Sequence, residues 1–122
     1  MSRIVTAVNA MLINANKIDP VFEQQEEFFF QYDKKHKWSI CEVNSDVVLS
    51  LYAKNDGSLE DVMRSRLFGS VPNTVSYSAN DQATKEAWES FQELLNFVKE
   101  KALGVTEVLD DIIADLDDDI PF

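Results

Sequence analysis

Three strand-like segments follow one another with connections too short to cross over a sheet. Residues 28–32 (Phe-Phe-Phe-Gln-Tyr), 37–43 and 47–54 are rich in aromatic and β-branched side chains. Residues 33–36 and Asn44-Ser45-Asp46 separate them, and both stretches carry turn chemistry. A parallel partner needs a crossover of a dozen residues or more, so these segments must pair antiparallel as a meander.

Helical patterns flank the meander. Ile4, Val5, Val8, Met11, Leu12 and Ala15 recur at helical spacing, so residues 3–16 read as an amphipathic helix with Ser2 as N-cap, ended by Asp19-Pro20. Ser58 with Asp61 fits a capping box for a short helix over 59–67, closed by Gly69. Pro72-Asn73 precedes a fourth strand, 74–79. Asn80 or Asp81 then caps the strongest helix, whose Trp88, Phe91, Leu95, Val98 and Ala102 form one apolar stripe. Gly104 ends it. Thr106 can cap a shorter helix with Val108, Leu109, Ile112 and Ile113. The expected fold class is α+β: an antiparallel sheet of about four strands against a long C-terminal helix, with an N-terminal helix and a short acidic tail. One domain, 1–114, precedes a tail, 115–122. With 122 residues and 45% hydrophobic composition, a single well-buried core is expected.

Charge is distributed unevenly. The formal net charge is −11. Glu107, Asp110, Asp111, Asp115, Asp117, Asp118 and Asp119 follow Thr106 with no basic residue among them. Residues 1–105 keep 15 acidic and 11 basic side chains, a net of −4. This is an ordinary domain with an acidic interaction tail. Three successive aspartates repel one another and stay hydrated. Ile120 and Phe122 then have no adjoining apolar sequence to fold with. Pro121 limits the entropy lost on docking. Phe122 carries a ring and the terminal carboxylate together, which suits an apolar pocket with a cation at its lip.

Asp117-Asp118-Asp119-Ile120-Pro121-Phe122 resembles the C-terminal tip of bacterial single-stranded DNA-binding proteins. The resemblance implies partners: the nucleases, helicases, primosome and clamp-loader components of DNA replication and repair that such tips recruit. It covers six to eight residues. The family's long flexible linker and five-stranded oligonucleotide-binding barrel have no counterpart here.

The body offers its own candidates for single-stranded DNA, which needs aromatic platforms and cations. Lys34, Lys35, His36 and Lys37 cluster at the first turn. Tyr32, Trp38 and Tyr52 are the aromatic candidates, and Lys54, Arg64 and Arg66 add charge. Phe28 and Phe30 are expected to pack on Trp88, Phe91 and Leu95. Strands followed by a long helix are similar in outline to the PC4/Whirly class of single-strand binders, which pair as dimers, so a homodimer is expected as well.

Three functions follow as expectations. The first is a small single-stranded DNA-binding accessory protein of replication or recombination with a docking tip. The second is an interaction module without DNA affinity that recruits, or competes for, proteins that bind such tips. The third is an acidic DNA mimic. No enzyme, metal or cofactor is expected: His36 and Cys41 are each the sole residue of their kind, and no phosphate-binding glycine loop occurs. Glu26 and Glu27 read as a solvated approach to the first strand. One cysteine and no apolar run of membrane-spanning length suggest a cytoplasmic setting, in a bacterial cell and from a phage, plasmid or host gene.

Overall fold

A computed structural model describes residues 2–119, with side-chain surroundings through Leu116. Helix α1 spans Arg3–Ile13. Five strands follow as β1 Ile18–Gln24, β2 Glu27–Tyr32, β3 His36–Val43, β4 Asp46–Tyr52 and, after helix α2 at Leu59–Leu67, β5 Thr74–Ser78. Helices α3, Lys85–Leu103, and α4, Val105–Asp119, close the described chain. The sheet is antiparallel throughout, in the order β1-β2-β3-β4-β5. The α+β class and the meander stand as expected, with five strands in place of about four.

The additional strand is β1. It pairs with β2 from Gln24↔Glu27 to Ile18↔Tyr32, with an irregularity between Ile18 and Val21. Pro20 falls within it, and a proline in a sheet is tolerated at an edge, where its missing N–H is not needed. The connection β1–β2 is two residues, Gln25-Glu26, both with positive φ. Asn44-Ser45 joins β3 to β4 in the same way. Positive φ at both central positions is the geometry that matches strand twist in a two-residue hairpin. Asn44 announces such a turn; Gln25-Glu26 does not.

Each face of the sheet has its own cover. Phe28, Phe30, Trp38, Ile40, Val47 and Leu49 form one face and pack with Ile4, Val5, Val8 and Met11 of α1 and with Ala87, Phe91, Leu94, Leu95 and Val98 of α3. The spacing 87, 91, 94, 98 rotates the buried stripe away from Trp88, which is 41% exposed. Phe28 and Phe30 therefore join Phe91 and Leu95 as expected, but Trp88 stands outside that cluster. On the opposite face Phe29 and Tyr52 pack with Leu59 and Val62 of α2 and with Val71. The rings of Phe29 and Tyr52 stack at 6.2 Å.

The helix ends follow capping chemistry. Ser2 Oγ accepts from the Val5 amide at the start of α1. Ser58 and Asp61 form the expected capping box of α2. The Ser58 amide, which donates to the Asp61 carboxyl, and after it the Ser58 side chain hold that carboxyl below the usual carboxylate range. Thr84, rather than Asn80 or Asp81, caps α3, because Asn80–Gln82 is spent in a short 3-10 turn. Gly104 ends α3 with φ 67°, in the left-handed region that favours glycine. Helix α4 starts at Val105 directly after this bend and runs through Asp119, well past Ile113.

Candidate functional site

The residues that sequence places together as a strand-binding surface are distributed over both faces and both covers. Tyr32 and Trp38 lie on the face beneath α1 and α3; Trp38 is 8% exposed, and Tyr32 packs against the same cluster. Tyr52 lies on the other face beneath α2 and is 4% exposed. Lys37 is also buried there, and its Nζ donates to the Asn55 backbone carbonyl at 2.9 Å. Tyr32 and Trp38 thus fall on one face and Tyr52 and Lys37 on the other, so the candidates do not make one exposed surface. The unanticipated element is α2 as a second cover, which removes Tyr52 from solvent, while Lys37 is held by the segment that leads into α2.

Lys34, Lys35 and Lys54 remain exposed. The pairing register puts the 33–35 turn and the end of β4 at the same end of the sheet. Lys35 lies 3.8 Å from Asp33. Arg64 and Arg66 project from α2 and are paired, Arg64 with Asp61 at 3.1 Å and Arg66 with Glu27 at 3.4 Å. The exposed ring near these arginines is Phe68, at the C-cap of α2 and 85% exposed, a residue the sequence reading had not singled out.

A polar chain lies between α2 and the sheet. Ser39 is fully buried. Its hydroxyl donates to Glu27 Oε2 at 2.5 Å and accepts from the Tyr52 hydroxyl at 2.6 Å. Glu27 is thus an anchoring acceptor within β2 and not part of a solvated approach. Burial, more than any other influence, pushes the Tyr52 phenol up to about 12. Burial also raises the Cys41 thiol, and the neighbouring Glu27 carboxylate adds to the rise. A raised thiol is a weak nucleophile, which leaves Cys41 as a small half-buried side chain. A cleft of about 250 Å³ borders this chain, lined by Gln24, Glu26, Glu27, Cys41, Glu42 and Arg66 among others. Among the described residues no group of three or more His, Cys, Asp or Glu is placed to hold a metal.

The other feature with functional character is α4. Every residue from Thr106 to Leu116 is exposed. Val108, Leu109, Ile112, Ile113 and Leu116 are each between 52% and 63% exposed, on a helix with no basic residue in its last turn. The helix carries Asp115, Asp117, Asp118 and Asp119 and leads into the terminal residues. Ile120, Pro121 and Phe122 lie outside the described residues, as do the side-chain surroundings of Asp117, Asp118 and Asp119. Among the described residues no helix is long and apolar enough to cross a membrane.

No family model, curated protein or solved structure matches this chain.

Proposed function

We propose that this protein is a docking module whose acidic C-terminus binds proteins that recognise the tips of bacterial single-stranded DNA-binding proteins. The carrying observation is the terminal order Asp117-Asp118-Asp119-Ile120-Pro121-Phe122. The exposure of everything from Thr106 to Leu116 supports it, because an acidic, solvated approach leads up to the tip. The Phe122 ring would fill an apolar notch, and the upstream aspartates would attract a basic surround from a distance. The partners are components of DNA replication or repair that otherwise engage single-stranded DNA-binding proteins, recruited or competed for.

Removing Pro121-Phe122 tests this. The full chain, immobilised, should retain purified proteins of that class. The shortened chain should lose them by about 100-fold or more in affinity, the scale of a buried aromatic anchor. Equal retention by both chains would reject the docking role.

Binding of single-stranded DNA by the body is a second reading. What favours it is the exposed Lys34, Lys35 and Lys54 at one end of the sheet, with Phe68 near Arg64 and Arg66. Fluorescent oligonucleotide titration in about 50 mM salt, where phosphate contacts are strong, should show binding that weakens steeply as salt rises. A flat titration in low salt would remove this reading and leave tip docking untouched.

A further inference from the structure

We infer that α4 is also a self-association surface, on which the occupant is the α4 helix of a second copy of this chain, packed antiparallel. Val105, Leu109, Ile112 and Leu116 follow one another at intervals of four, three and four, the spacing of a helix–helix seam. Val108 and Ile113 widen the stripe on either side. Asp110 and Asp111 fall on the back of the helix, away from the seam, so pairing through the stripe does not bury them.

The reasons for a helical partner are intrinsic to α4. Its sequence is a poor helix former, with five β-branched residues from Val105 to Ile113 and an aspartate-rich end. Negative charge at a helix C-terminus opposes the helix dipole. A partner that covers the stripe and brings positive potential to the C-terminal end answers both defects.

A second α4 running antiparallel does so. Its N-terminal end, the positive end of the helix dipole although Glu107 sits in its first turn, lies beside the acidic end of the first helix, and the relation is reciprocal. Just before that N-terminus is the α3–α4 elbow, a cavity of about 310 Å³ lined by Phe97, Glu100, Lys101, Gly104, Thr106 and Glu107. The rise from Val105 to Leu116 is roughly 17 Å, so antiparallel pairing sets Leu116 of one copy beside Val105 of the other, at the elbow. A parallel pair would instead set the two aspartate-rich ends side by side. The exposed stripes of two copies bury on the order of 1,000 Å², the lower range of specific interfaces.

Sedimentation equilibrium of the full chain tests the inference. The expected result is a monomer–dimer equilibrium in the micromolar range, weakened at least ~100-fold by Ile112→Asp. Circular dichroism of that variant should keep its strand signal, since Ile112 is exposed in the single copy. Orientation is read on a Cys41→Ser background. Val105→Cys and Leu116→Cys proteins should form a disulfide when mixed, and neither should form one alone. A monomer at all concentrations up to about 100 times the micromolar range overturns the proposal, as does a dimer indifferent to Ile112→Asp. Self-cross-linking of the Leu116→Cys protein overturns the antiparallel geometry. Removing Pro121-Phe122 should leave the dimer intact. Loss of partner capture with a persisting dimer therefore bears on tip docking alone, and a monomer that still captures partners bears on this proposal alone.

Discussion

Phe91→Ala is expected to lower the unfolding free energy by about 3–5 kcal/mol, the usual loss for truncating a fully buried phenylalanine. Phe91 has no exposed surface and belongs to the cluster that joins α1 and α3 to Phe28, Phe30 and Ile40 of the sheet. The loss has two parts. The ring's transfer from water is forfeited, and the space it leaves is walled by five-stranded sheet and two helices that cannot all close in. Domains of this size are stable by roughly 5–15 kcal/mol, so the variant should be close to unfolding at physiological temperature. Trp88→Ala on the same helix is the control. Trp88 is 41% exposed, and its removal should cost less than about 1 kcal/mol. Urea denaturation of both variants decides the matter. Equal losses would mean that the buried stripe of α3 has a different phase.

The polar chain beneath α2 should make stability sensitive to alkaline pH through a single residue. At neutral pH, Tyr52→Phe is expected to cost roughly 1–3 kcal/mol, because Ser39 loses one of its two partners in a buried setting. The folded state holds the Tyr52 phenol up to about 12, against an ordinary value near 10. The folded protein therefore keeps its proton where the unfolded chain has already released it. Tyr52's contribution is intact below pH 10 and is lost as pH rises from 10 to 12. The advantage of the parent over Tyr52→Phe should shrink through that window. Urea midpoints of both proteins at pH 7, 9 and 11 measure it, and a constant difference at all three would contradict the burial of this phenol. The comparison is made as a difference so that other groups titrating in this range cancel.

Much of this architecture is readable from residue order, and the exceptions have physical causes. The hairpin β3–β4 was evident because Asn44 tolerates the left-handed backbone its turn requires. The hairpin β1–β2 was not, because Gln25 and Glu26 adopt the same backbone without being residues that favour it. Asp19-Pro20 reads as the stop of the first helix, but α1 already ends at Ile13 with Asn14 as its C-cap, and Asp19-Pro20 lies inside β1; that the chain runs on as an edge strand depends on β2 offering its free side. Helix α2 was expected from its capping box, but local sequence does not say onto which surface a short helix folds. That one placement converts Tyr52 from an exposed candidate into a buried residue, hydrogen-bonded to the Ser39 hydroxyl that Glu27 holds. The apolar residues of α4 read as a helix from sequence, but their spacing does not say what they face. Their exposure follows from the bend at Gly104, which turns the chain away from the sheet already covered by α3.

The proposed docking tip rests on residue order alone, and Ile120, Pro121 and Phe122 lie outside the described residues. A terminal motif is recognised by its letters and its position, with no need of tertiary context. A binding surface assembled from strands depends on which face a cover reaches, and that information is spread over the chain.

Competition for a purified protein that binds the tips of bacterial single-stranded DNA-binding proteins tests the central claim most directly. A fluorescent peptide of sequence Asp-Asp-Asp-Ile-Pro-Phe, bound to that protein, would be challenged with the full chain while its polarisation is followed. Displacement by the full chain, and none by a chain that stops at Ile120, is the predicted result. Polarisation that stays unchanged with the full chain at about 100 times the peptide's dissociation constant would contradict the account.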